Sequence, residues 1–276
     1  MNEIVINWHI IEKCNYKCAY CFAKYGKTKL EEVHKSPNKI VYVLEKVYEF
    51  LADRYKNYGV RLNIAGGEPL LVKNLHFILK EANKIGFDTS IITNGSLVDE
   101  EFLQTSIPLL SMFAVSVDSV ENESCQQIGR SAKKQVLSQQ KLEHIFTRVK
   151  TINPAIKTKI NTVVNQHNFH QNLSQFIGAV QPSKWKIFQA MDFDNQTYCT
   201  KQQFDCFVNT HKDISIKTFV ESSQDMKNSY LMIDPCGRFY QNSHSGYQYS
   251  LPIFDSSVED CVASVGFDYD KFCNRY

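Results

Sequence analysis

Short runs that alternate apolar with polar residues recur along the chain, each followed by a stretch whose apolar positions return every three or four residues. Over 4–10, Ile4, Ile6, Trp8 and Ile10 share one face while Asn7 and His9 share the other, which is the period-2 mark of a strand. The same reading predicts strands over 60–65, 87–93, 111–117, 155–163 and 184–191, and helices near 37–57, 74–85, 99–106, 135–151, 168–179 and 200–212. Strand and helix alternate through six such units, the pattern of βα repeats around a parallel sheet. Beyond residue 212 the rhythm changes: 215–220, 229–234 and 238–242 read as short strands, the last two joined by the turn sequence Pro235-Cys236-Gly237. The predicted class is α/β: a partial (βα)6 barrel over 1–212, with a C-terminal extension over 213–276 that closes a pocket within one structural unit.

The second face of these strands carries polar groups. In 155–163, Lys157, Lys159 and Asn161 oppose Ile156 and Ile160, and in 184–191, Lys184 and Lys186 oppose Trp185 and Ile187. Ser116 and Asp118 continue the line of Met112 and Ala114. One such strand reads equally well as a solvent-facing edge. Repetition over several strands favours a polar lumen near the strand C-termini, where a βα barrel places its chemistry.

Composition narrows the setting. At 276 residues and 43% hydrophobic the chain can bury one large core. A formal net charge of +2 gives no global basic field, so no nucleic-acid polymer is expected as a partner and any polyanion site is local. Nine cysteines, no signal-like opening and no apolar run of spanning length predict a reduced, cytoplasmic protein that is not held in a membrane.

Three of those cysteines, Cys14, Cys18 and Cys21, fall four and three residues apart just after the first strand. Three thiols suit a four-iron cluster with one iron left open for a ligand. Zinc and inert buried thiols remain alternatives by spacing alone, although His34 is isolated and zinc ribbons pair two ligands with two more. The second strand runs into Gly66-Gly67-Glu68-Pro69, where paired glycines let the backbone approach a ligand closely.

Together the three-cysteine loop and the glycine pair resemble the radical S-adenosylmethionine (SAM) superfamily. The resemblance implies that Cys14, Cys18 and Cys21 hold a [4Fe–4S] cluster, that SAM chelates its open iron, and that Gly66, Gly67 and Glu68 border the methionine moiety. Further motifs follow the order of the viperin-like enzymes: Asn7-Trp8-His9, Thr93-Asn94-Gly95-Ser96, Ser116-Val117-Asp118-Ser119, Gly129-Arg130, Lys159-Ile160-Asn161, Trp185-Lys186-Ile187-Phe188-Gln189 and Asn228-Ser229-Tyr230. That likeness implies a dehydratase that converts a ribonucleoside triphosphate (CTP, UTP or GTP) to its 3′-deoxy-3′,4′-didehydro analogue, an antiviral chain terminator. It further implies cofactor contacts at Asn94, Ser116 and Arg130, substrate contacts at Asn7, Lys159, Asn161 and Lys186, and a catalytic Tyr230 that completes the reaction. A monomer served by an electron donor such as flavodoxin or ferredoxin is expected.

Some features depart from that pattern. No Walker-type loop is present, so the triphosphate needs another cradle. The stretch 219–226 differs from the animal members, as do the short N-terminus and the ending Asn274-Arg275-Tyr276. Two other readings stand beside the nucleotide one: a radical enzyme acting on a peptide, and a noncatalytic metal-binding protein with a fourth ligand. Against the first, Cys236, Cys261 and Cys273 are scattered rather than paired for a second cluster. Cys125, Cys199 and Cys206 have no assigned role.

Overall fold

The structure is a computed structural model that describes residues 3–23, 30–192, 198–243 and 246–273. The expected ending at 274–276 lies outside them. In chain order the elements are β1 (Glu3–His9), α1 (Pro37–Arg54), β2 (Gly59–Ala65), α2 (Leu75–Ile85), β3 (Asp88–Thr93), α3 (Glu100–Ser106), β4 (Met112–Ser116), α4 (Asn122–Ile128), α5 (Gln139–Ile152) and β5 (Lys157–Val164). There follow α6 (Ser174–Val180), β6 (Lys184–Gln189), α7 (Lys201–Thr210), β7 (Thr218–Glu221), β8 (Leu231–Ile233), β9 (Arg238–Ser243), β10 (Gly246–Pro252), α8 (Val258–Ala263) and α9 (Tyr269–Cys273). One sheet contains every strand, in the order β10-β9-β8-β1-β2-β3-β4-β5-β6-β7. From β1 to β7 all neighbours are parallel. The sheet is open, as a partial barrel requires.

Local chemistry sets these elements. Ser36 caps α1 by accepting from the Lys39 amide, Pro37 opens the helix, and Ile40, Val43, Leu44, Val47 and Leu51 form its buried stripe. Thr200 and Gln203 close a reciprocal capping box on α7. Helix-facing strand residues Trp8, Ile64, Ile91, Ile160 and Trp185 are fully buried, and the Trp185 indole donates to Thr162 Oγ1 at 3.0 Å. Such a face, dry and apolar, leaves the other one for chemistry.

The extension is more sheet-like than the sequence suggests. Thr218–Glu221 pairs in parallel with β6, so the chain after α7 supplies a seventh parallel strand at one edge. The next strand, β8, crosses to the far side and pairs with β1, and β9 and β10 continue from it antiparallel. The strand at 246–252 and the helix at 122–128 are absent from the sequence reading. The helix expected from 168 begins only at Ser174, because Asn168 is already committed to a turn: its Oδ1 accepts from the Asn165 amide at 2.7 Å and its Nδ2 donates to Asp118 O at 2.8 Å.

Candidate active site

The inward faces of the strands meet around a cavity of about 290 Å³. Register explains which side chains converge, since residues paired across a sheet point the same way. Asn7 pairs with Asn63; Ser116, Asn161 and Lys186 form one row over β4, β5 and β6; Ala114, Lys159 and Lys184 form the row below. The polar lumen read from alternation is therefore present. Asn7, Cys14, Cys18, Cys21, Gly66, Gly67, Asn94, Ser116, Arg130, Lys159, Asn161, Lys186 and Tyr230 all line it.

The cysteine loop leaves β1 and is pinned by its backbone. Lys17 N donates to Gly129 O at 3.1 Å and Ala19 N to Ile128 O at 3.0 Å. Gly129 has φ +88°, and a Cβ there would meet Lys17 O at 2.2 Å, so this anchor needs glycine. Within the loop the Tyr16 amide points at Cys14 Sγ, 3.3 Å away. Burial pushes the Cys18 thiol up to about 12, with the Arg130 guanidinium opposing it. A thiolate there needs a positive centre beside it, as the iron of a cluster would be. Among the described residues no three His, Cys, Asp or Glu side chains converge on a single metal-ion position.

The glycine pair also packs on the stem of the cysteine loop. Gly67 N donates to Ile11 O at 2.7 Å and Glu68 N to Lys13 O at 3.0 Å. A Cβ on Gly67 would fall 2.2 Å from Lys13 O, and one on Gly66 would fall 2.6 Å from Ile11 O. The glycines face the cavity, but what a side chain would strike is the stem of the cysteine loop. Glu68, expected beside the methionine moiety, does not line the cavity. Its fully buried carboxylate accepts from Thr93 Oγ1 at 2.7 Å, Asn94 N at 2.8 Å and Leu70 N at 3.1 Å. Burial raises its pKa against those donors. Glu68 thus fixes the loop after β3, and Asn94 Nδ2 reaches on to Asn15 Oδ1 at 2.8 Å.

Arg130 is buried, with Nη1 3.3 Å from Asp118 Oδ2 and Nη2 donating to Ser116 O. The Tyr20 hydroxyl also donates to Asp118, and Asp118 Oδ1 accepts from Val163 N at 2.9 Å. One carboxylate thereby joins the cysteine loop, the arginine and β5. A smaller void of about 20 Å³ lies between Tyr16, Asn94, Ser116 and Arg130.

Cations gather deeper in the cavity. Among the described residues Lys159 forms no ion pair, and burial, then Lys186, Arg61 and Lys184, hold its ammonium well below the usual lysine range. Arg61, which the sequence reading passed over, lines the same space and is held by Glu3 at 2.8 Å and Ser90 Oγ at 2.8 Å. Its alternation with Asn63 and Ala65 was the available signal. Lys186 is engaged: its Nζ lies 2.6 Å from Glu221 Oε1 and donates to the Tyr230 hydroxyl at 3.0 Å, while that hydroxyl donates to Glu221. Asn7 is also tied, accepting from Asn63 Nδ2 at 2.7 Å and donating to Leu231 O at 3.2 Å. Asn161 Oδ1 is buried and has no partner among the described residues.

Comparison with known proteins places this geometry. The Radical SAM superfamily model matches residues 8–171. Streptococcus suis SuiB bound to S-adenosylmethionine has the same fold, with a TM-score of 0.65 at 14% identity over 98% of this chain and 67% of that one. The S-adenosylmethionine-dependent nucleotide dehydratase of Psychrobacter lutiphocae is 38% identical over 99% of this chain and 95% of its own length. The S-adenosylmethionine-dependent nucleotide dehydratase RSAD2 of Siniperca chuatsi is 29% identical over all of this chain and 78% of its own. Fold and cysteine loop define a radical SAM enzyme, a class that works with a [4Fe–4S] cluster and SAM. Within it, the chain belongs to the viperin-like family of SAM-dependent nucleotide dehydratases.

Proposed function

We propose that this enzyme dehydrates a ribonucleoside triphosphate (CTP, UTP or GTP) to its 3′-deoxy-3′,4′-didehydro analogue. The observation that carries the reading is Lys159. A lysine in a cavity wall, near Arg61 and in no ion pair among the described residues, calls for an anion, and a triphosphate supplies several charged oxygens for ammonium and guanidinium donors. A ribose then lies between that deep end and the thiols.

The residues present fit the expected cofactors. Three thiols on one wall would hold the cluster, and Gly66, Gly67, Asn94, Ser116 and Arg130 would border SAM, with Glu68 supporting Asn94 from behind. When bound, the pair would supply the adenosyl-radical chemistry that removal of the ribose 4′ hydrogen requires. The chain does the rest. Lys159 and Arg61 bind the phosphates, and Asn7 and Asn161 orient the sugar. Loss of the 3′ hydroxyl as water consumes one proton and one electron. Tyr230 supplies both through its O–H, with Lys186 and Glu221 fixing the phenol. Phosphate contact by Lys186 is secondary to that duty.

The segment 213–276 closes the pocket, since Met226, Tyr230, Met232, Asn242 and Phe272 line it. An electron donor of flavodoxin or ferredoxin type restores the reducing equivalents of a monomeric, cytoplasmic enzyme. Among the described residues no helix is long and apolar enough to cross a membrane. The test is to incubate the reconstituted, dithionite-reduced protein with each of CTP, UTP, GTP and ATP. The expected result is 5′-deoxyadenosine and a product lighter by one water. Failure of all four to stimulate 5′-deoxyadenosine formation overturns the reading.

A further inference from the structure

Asn242 lies on β9, in the extension, and its side chain forms part of the cavity wall. The residue is 6% exposed, and its amide is poorly employed. Oδ1 is shielded from water with no partner among the described residues. Nδ2 reaches only a thioether, Met191 Sδ at 3.7 Å, a weak acceptor. Buried amides are normally paired, and one left so costs free energy. The side chain is not needed to hold its own strand, since it is the main-chain carbonyl of Asn242 that accepts from Asn228 N at 3.2 Å. Turning the amide about χ2, a broad torsion, breaks no conventional hydrogen bond.

Its position says what it faces. Lys159 pairs with Lys184, the first residue of β6, whereas Met191 lies past the last residue of that strand, Gln189. Asn242 therefore stands at the rim where the extension meets the end of β6, away from the deep cations. A nucleotide anchored by its phosphates on Lys159 and Arg61 extends its other end, the base, toward that rim. The cavity wall also carries the apolar side chains of Met191, which Asn242 touches, and of Met226 and Phe272. Such a wall suits a base plane, and one amide in it supplies a donor and an acceptor side by side.

We propose that Asn242 reads the hydrogen-bonding edge of the nucleobase and so sets which nucleoside triphosphate the enzyme takes. This rests on the nucleotide reading given above. In the nucleotide-free protein the amide waits unpaired; with substrate, its acceptor and donor meet a base that presents the complementary pair. A wrong base leaves the amide unpaired beside an unpaired base edge, and discrimination follows from that difference.

The experiment is calorimetric binding of CTP, UTP, GTP and ATP to the anaerobically reconstituted protein with SAM, for the wild type, Asn242→Ala and Asn242→Asp. Loss of the amide is expected to compress the ratio of best to worst Kd by about tenfold or more, the worth of a good base contact. Aspartate, which only accepts, is expected to shift preference toward guanine, whose edge offers adjacent N–H donors. If Asn242→Ala fails to fold, Asn242→Ser supplies the comparison. Ratios unchanged within about twofold overturn the proposal while leaving the nucleotide reading intact. No binding of any nucleotide by the wild type overturns both.

Discussion

Lys186 and Glu221 form an ion pair across the edge of the parallel sheet, Nζ to Oε1 at 2.6 Å, with each residue 5% exposed. The Tyr230 hydroxyl completes a triangle with them. Removing one member leaves a buried charge without its partner, which typically costs about 3–5 kcal/mol. Glu221→Gln is accordingly expected to lower stability by roughly 3 kcal/mol and to disorder Tyr230. Lys186→Met with Glu221→Leu is expected to recover most of that stability but not turnover. Chemical denaturation of Glu221→Gln, of Lys186→Met and Glu221→Leu singly, and of the double variant checks the first part and closes the cycle. Additive losses in the cycle would remove the coupling on which the triangle depends.

Gly67 tests the stem of the cysteine loop. An added methyl would sit 2.2 Å from Lys13 O and 2.5 Å from Glu12 O, both backbone atoms, so the stem must move. Gly67→Ala is expected to cost about 1–3 kcal/mol and to reduce iron bound per chain on reconstitution. Gly178, with nothing within 4 Å of its Cβ position, is the control: Gly178→Ala is expected to leave iron content unchanged. Iron and sulfide assays with thermal melts read both outcomes.

Strands β1, β2 and β4 were legible because each presents one apolar face, and the cysteine loop because its spacing is local. Lys159, Asn161 and Lys186 were placed in the lumen by alternation alone, and the register confirms that placement. What escaped was tertiary. Glu221 ends a strand predicted to stop one residue earlier, so nothing local marked it as the partner of Lys186. The family resemblance implies Glu68 as a neighbour of the methionine moiety; that its carboxylate turns back to Asn94 depends on the loop after β3. The strand at 246–252 alternates Tyr247, Tyr249 and Leu251 with Gln248 and Ser250, a period-2 signal that the sequence reading passed over.

His211 gives a pH test away from the cavity. Its Nε2 accepts from the Leu173 amide at 2.9 Å and its Nδ1 lies 2.7 Å from Phe207 O, which requires the neutral ring. Burial lowers its pKa from 6.5. A folded value below the unfolded one means that its contribution is complete above about pH 6.5 and is lost as pH falls below that. His211→Ala is expected to be less stable than the wild type at pH 7.5, with the gap narrowing toward pH 5. Urea unfolding at both pH values measures it; a gap that widens in acid would contradict the neutral ring.

Lys159 links stability to substrate. Burial and neighbouring cations lower its pKa from 10.5, so below that value the unfolded chain holds the proton more tightly than the folded one. The group therefore opposes folding at neutral pH, and the penalty shrinks as pH rises from the folded pKa toward about 10.5. Lys159→Met keeps the stem and removes the charge. Without nucleotide the variant is expected to melt higher than the wild type. A triphosphate reverses the order: it pairs the ammonium, raises its pKa and stabilises the wild type, whereas the variant gains far less. Thermal shifts with and without CTP, read against pH, separate the two effects. A variant that is less stable without nucleotide and shifts fully with it would show that Lys159 serves packing rather than phosphate.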